Sequence, residues 1–109
     1  MGTLYYTVDL SDQELKKRLE NQEIAFDERK SLTRNINSGD SSVTIDITEL
    51  GTVKALYIKS SLPITATING TAILVKDFLF TSLSLLNTLA ISCSDETGAE
   101  VAVILWASA

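Results

Sequence analysis

Histidine is absent from this chain, and cysteine, proline, methionine and tryptophan each occur once. Without histidine the commonest general base and metal ligand is missing, so neither a Ser-His-Asp nor a Cys-His constellation can be assembled within the chain. A lone cysteine leaves zinc without a ligand set. It also forms no intramolecular disulfide, which argues against a disulfide-stapled secreted module. No glycine-rich phosphate loop is present. No uninterrupted apolar run reaches the roughly 20 residues of a membrane-spanning helix, and MGTLYYTVDL lacks the basic-then-apolar pattern of a secretory signal. The expectation is a soluble product synthesised in the cytoplasm, with no catalytic, cofactor-binding or metal residues, no cofactor, no small-molecule substrate and no membrane partner.

Positive charge is also scarce. Nine Lys and Arg against 14 Asp and Glu give a formal charge of −5. Affinity for phosphate backbones comes largely from counterions displaced by basic side chains, so a nucleic-acid partner is disfavoured. The longest basic run, Lys16-Lys17-Arg18, is flanked by Glu14 and Glu20, as on a solvated helix face. Asp46 with Asp77 or Asp95 is the one carboxylate pairing open to acid–base chemistry, and Asp95-Glu96 the one turn open to calcium. Acidic residues on strand faces and turns ordinarily keep sheets soluble. The chain is therefore read as not an enzyme.

What is present is β-sheet patterning on the scale of one domain, 109 residues with 45% hydrophobic and 21% charged residues. TLYYTVDL reads as a strand or extended arm. Ser11 and Glu14 have capping-box spacing, and Leu15 and Leu19 stand four apart, so residues 12–21 are predicted to form a short amphipathic helix. Ile24 and Phe26, then Leu32, Arg34 and Ile36, mark two short strands around a charged DERK connection. Ser38-Gly39-Asp40-Ser41 is a turn signal. Val43, Ile45 and Ile47 alternate with Thr44, Asp46 and Thr48. In VKALYIKS, Val53, Ala55 and Tyr57 face one side and Leu56 and Ile58 the other, which predicts a central strand.

Pro63 opens the next strand, where a missing amide hydrogen does little harm. Ile64, Ala66 and Ile68 lead to Asn69-Gly70, the signature of a type I′ hairpin, which also explains the formal glycosylation acceptor Asn69-Gly70-Thr71. FLFTSLSLL is ambiguous between strand and helical turn, with strand favoured, and Cys93 alternates inward with Leu89 and Ile91 as an inert thiol. Asp95 to Gly98 is a polar turn, and Val101, Val103 and Leu105 oppose Ala102, Ile104 and Trp106 in the last strand. The predicted fold is mainly β, an antiparallel β-sandwich or jelly-roll-like barrel with one short N-terminal helix. Residues 1–22 form an N-terminal arm and short helix, and residues 23–109 the β-sandwich domain.

VTIDITELGTVKALYIKS, PITATING and LAISCS with AEVAVILWA follow one another as strand, LG turn, strand, Pro-led hairpin and apolar final strand. In that order the block from Val43 to Ala107 resembles small β-sandwich auxiliary structural proteins of tailed-bacteriophage virions. The resemblance implies a head-decoration, minor capsid or tail accessory protein in the virion, with other virion proteins, major capsid or tail, as partners. It carries over no enzymatic residue. The expected function is non-enzymatic assembly through contacts within a homo-oligomer and with these partners. The alternatives are a tail or baseplate accessory protein and a carbohydrate-binding sandwich for host attachment, for which 6% aromatics is a meagre supply of stacking platforms.

Leu15 and Leu19 make too narrow a stripe to stabilise a lone helix, and Tyr5 and Tyr6 must point to opposite faces of a strand. Leu4, Tyr5, Tyr6, Leu15 and Leu19 are accordingly the candidate partner interface. Trp106 joins them, although its face is shared with Ala102 and Ile104 and core burial is its ordinary fate.

Overall fold

A computed structural model describes residues 2–11, 16–37, 43–93 and 98–108, with the side chains of 8–11 and 16–21 outside the description. The described residues form ten strands and no helix: β1 (Gly2–Ser11), β2 (Lys16–Phe26), β3 (Glu28–Ile36), β4 (Val43–Thr44), β5 (Thr52–Ser60), β6 (Ile64–Ile68), β7 (Thr71–Val75), β8 (Phe78–Ser82), β9 (Leu89–Ser92) and β10 (Ala99–Ser108). Two antiparallel four-stranded sheets make a β-sandwich, S1 in the order β3-β10-β5-β8 and S2 in the order β4-β9-β6-β7. Its pairs are nested from the outside in: β3 with β10, β4 with β9, β5 with β8, β6 with β7. A third, two-stranded sheet, the ribbon β1-β2, shares no strand pairing with either.

The predicted helix over 12–21 is not there. From Lys16 onward the chain is strand, with Leu19 opposite Val8 and Arg18 opposite Asp9; residues 12–15, including Leu15, lie outside the described residues. The reason lies in the spacing itself, since residues four apart share a face of a strand as surely as of a helix. A ten-residue helix with two leucines is marginal in water, whereas pairing with TLYYTVDL satisfies the same backbone groups at once. The strand continues through residue 22 to Phe26.

DERK is likewise not a connection. A single bend at Asp27 separates β2 from β3, and the Asp27 N–H donates to the Ala107 carbonyl at 2.8 Å. Glu28 and Lys30 are strand residues that hold the neighbouring 46–51 turn: Glu28 accepts from the Gly51 N–H at 3.2 Å, while Lys30 reaches the Asp46 carbonyl at 2.9 Å and Glu49 at 2.7 Å.

β5 lies between β10 and β8, as its two apolar faces predicted. One face was misassigned, however. Trp106 pairs with Ala55 but Ala107 with Val53, so Lys54 is an extra residue at a bulge. The bulge flips Val53 onto the side of Leu56 and Ile58, and all three join the core. Ala55 is fully buried outside that core cluster, on the opposite face of S1.

The core between the sheets is built from alternate residues of paired strands: Val101, Val103 and Leu105 from β10, Ile64 and Ala66 from β6, and Leu89 and Ile91 from β9. Each large aliphatic side chain fully buried there contributes about 1.5–3 kcal/mol. Cys93 extends the inward set and donates to the Pro63 carbonyl at 4.0 Å. Of VTIDI only Val43–Thr44 is regular strand, although Ile45 still donates to Leu89 and is buried. The predicted turn at 38–41 lies outside the described residues, as do residues 95–97 of the turn predicted at 95–98, whose last residue, Gly98, has a φ of 77°.

The Asn69-Gly70 hairpin forms as read, with φ of 51° and 86° and Ile68 opposite Thr71. Asn69 does more than tolerate the turn. Its side chain accepts from the N–H groups of Asn87 (2.6 Å) and Thr88 (3.2 Å) and donates to the Leu85 carbonyl (2.9 Å), pinning the 83–88 loop. Asn69→Gly keeps the positive φ and loses those bonds, so it is expected to cost about 1–2 kcal/mol. A urea denaturation midpoint equal to wild type would show that the side chain holds nothing.

Candidate interaction surfaces

The ribbon β1-β2 alternates cleanly where its side chains are described. Leu4, Tyr6, Gln22, Ile24 and Phe26 are half-buried, whereas Thr3, Tyr5, Thr7, Glu23 and Ala25 are exposed. Leu4 pairs with Ile24 and Gly2 with Phe26, so apolar residues line one face of the ribbon base. That face meets the outer side of S1. The ring centroids of Tyr6 and Phe80 are 4.8 Å apart, and Phe80 stands edge-on to Trp106 at 6.5 Å. Under this cover Trp106 is only 9% exposed and Ala55 not at all. Tyr57 and Phe78 continue the aromatic row along S1 at 6.5 Å.

The sequence-derived interface set therefore divides. Tyr5 is 67% exposed and faces away from the sandwich. Leu4 and Tyr6 are half-buried on the inner face of the ribbon, and Trp106 lies beneath it. Leu19 lies in β2 with its side chain outside the description, and Leu15 is outside altogether. The partner of Trp106 within its own chain, Phe80, was missed; the alternation in Phe78-Leu79-Phe80 was the only signal for it. Also missed was the exposure of apolar residues on β7, with Leu74 67% exposed on one face and Ile73 37% exposed on the other.

A polar cleft of about 490 Å3 opens at one end of S1, lined by Asn35, Asn37, Ser61, Gly98, Ala99 and Glu100. Gly98 has φ of 77°, and a side chain starting there would meet the Ile36 carbonyl at 3.0 Å, so its wall is kept flat by glycine. Ser61 holds the rim by accepting from the Glu100 N–H at 3.0 Å.

Of the carboxylates weighed for catalysis, Asp46 and Asp77 have separate partners and Asp95 is outside the described residues. Asp77 pairs with Lys59 at 3.4 Å. Asp46 accepts from the Thr48 hydroxyl at 2.7 Å and the Thr48 N–H at 3.0 Å. These bonds, the hydroxyl first, hold its pKa below the ordinary value, with a smaller contribution from Lys30. A carboxylate depressed on folding stabilises above its unfolded pKa and ceases to do so as pH falls through the folded one. The destabilisation caused by Asp46→Ala is thus expected in full at neutral pH and to vanish below the usual carboxylate range. Denaturant midpoints of both proteins across that range check it; a pH-independent difference would contradict it.

Among the described residues no group of three or more His, Cys, Asp or Glu is placed to hold a metal ion. Comparison with protein-family models and with curated proteins finds no match to this chain.

Proposed function

We propose that the chain is a non-enzymatic structural component of a bacteriophage virion, attached as a decoration or minor capsid protein through protein–protein contacts. The observation that carries this reading is the nested strand order of the sandwich. Such nesting supports reading it as a jelly roll, an architecture found in viral capsid domains, and the fold here serves as analogy. The ribbon adds a feature suited to assembly, with Tyr5 exposed on its outward face. The net negative charge suits a position away from packaged DNA. The test is mass spectrometry of density-gradient-purified particles encoded by the same genome. The chain is expected at a fixed stoichiometry to the major capsid or a tail protein, and its absence from intact particles overturns the proposal.

The polar cleft favours one second reading, a carbohydrate-binding sandwich. Its amide, hydroxyl and carboxylate side chains match the hydrogen-bonding groups of a sugar. Glycan-array binding that is lost in Asn35→Ala and Glu100→Ala, in a chain absent from particles, would select this reading over the first.

A further inference from the structure

The four edges of the sandwich are guarded unequally. β3 carries Glu28, Arg29, Lys30 and Arg34, β4 is only two residues long, and the three middle residues of β8 are half-buried. β7 has no such protection. It closes S2 with five residues, Thr71-Ala72-Ile73-Leu74-Val75, none charged and the first four exposed. Edge strands are ordinarily kept from pairing by charge, proline, bulges or brevity.

The hairpin fixes which backbone groups face outward. Across a two-residue turn the flanking residues Ile68 and Thr71 form the hydrogen-bonded pair, so Ile73 with Ala66 and Val75 with Ile64 also exchange bonds with β6. The N–H and C=O groups of Ala72 and Leu74 consequently point away from the sheet, and these two side chains lie on its solvent face.

We propose that β7 pairs antiparallel with β7 of a second copy about a two-fold axis at Ile73, joining the two four-stranded S2 sheets into one. In this register each Ala72 exchanges hydrogen bonds with the other copy's Leu74, placing a large side chain beside a small one. The two Ile73 residues meet as a non-hydrogen-bonded pair, with Cα atoms about 4.5 Å apart, and their side chains close the exposed end of the core. Thr71 to Val75, all uncharged, pairs over its full length, and Lys76 and Asp77 beyond it are bends that leave the sheet, Asp77 toward Lys59 and Ser60 of β5. No like charges meet. An isologous contact requires one patch complementary to itself, and β7 meets that requirement, which singles out a second copy as the occupant. This inference stands on the sandwich and is independent of the virion reading.

The full chain, 11.8 kDa, is expected to sediment at twice its mass. The double variant A72K/L74K sets like charges opposite each other across the axis and is expected to halve that mass with circular dichroism unchanged. A72K/L74E sets opposite charges in the same register and is expected to restore the dimer. Under mild oxidation Ile73→Cys is expected to cross-link to itself and Leu74→Cys is not, because only position 73 faces its own copy. A wild-type monomer at all concentrations, an A72K/L74K protein that keeps the wild-type mass, or cross-linking of Leu74→Cys as efficient as that of Ile73→Cys overturns the proposal.

Discussion

Trp106→Ala is expected to remove about 3–5 kcal/mol of unfolding free energy, the range for truncating a large aromatic side chain in a packed site. That is a substantial part of the 5–15 kcal/mol that typically holds a domain. At about 4–8 °C per kcal/mol for a domain of this size, the melting temperature falls by more than 10 °C. The indole is 9% exposed although it projects from the outer face of S1, because the ribbon lies over it. Removing it empties the space between Ala55 and Phe80 and takes away the edge-on contact with Phe80, itself packed on Tyr6 at 4.8 Å. Such aromatic pairs add about 0.5–1.5 kcal/mol beyond area.

The damage is expected to be local as well as large. Amide exchange should accelerate more in residues 2–7 and 22–26 than in the β10 strand beneath them, since Val101, Val103 and Leu105 keep their partners between the sheets. Trp106→Phe, which retains a ring, should recover most of the loss. Uniform acceleration across both regions would mean that Trp106 supports the sandwich as a whole and not the docking of the ribbon.

Features decided by neighbours in sequence were legible, and those decided by partners far along the chain were not. Asn69-Gly70 announces its turn because two adjacent residues supply the positive φ angles. The central place of β5 shows in apolar residues on both of its faces. The inward set of β10 follows from simple alternation, as does the burial of Cys93. The helix was misread because Leu15 and Leu19 obey both periods, and what decides between them is the pairing of β2 with β1.

The Lys54 bulge is equally invisible in VKALYIKS. It exists only in the register with β10, some 50 residues on, and it moves Val53 to the face opposite the one alternation assigns. The candidate surfaces suffered most. Tyr6 meets Phe80 across about two-thirds of the chain, so no period relates them, and the burial of Trp106 depends on that meeting. The uncharged run at Thr71–Val75 is plain in the sequence, yet its meaning depends on the topology that leaves β7 at an edge.

Deleting residues 1–26 is expected to leave a folded sandwich and, on the virion reading proposed above, one that no longer attaches to particles. The cut falls at Phe26 because β2 runs that far and Asp27 is the bend into β3. Every residue of the core cluster lies between Leu32 and Ala107, so the two sheets keep all their inner contacts without the ribbon. What they lose is the cover over Ala55, Phe80 and Trp106, a loss on the order of 3 kcal/mol for that much aromatic and aliphatic surface returned to water. The tryptophan, the only one in the chain, reports it directly: its emission should shift to the red, and an apolar dye should bind where it did not before. The ribbon alone has no such reserve, because a two-stranded hairpin is marginally stable in water, and the excised 1–26 peptide should show no cooperative melting. Particle attachment, scored by co-sedimentation with particles lacking the chain, separates the remaining possibilities. A truncated protein that unfolds makes the ribbon part of the core. On the virion reading, one that folds and still attaches moves the contact to the sandwich, whereas one that folds and fails to attach assigns it to the ribbon, on whose outward face Tyr5 is exposed.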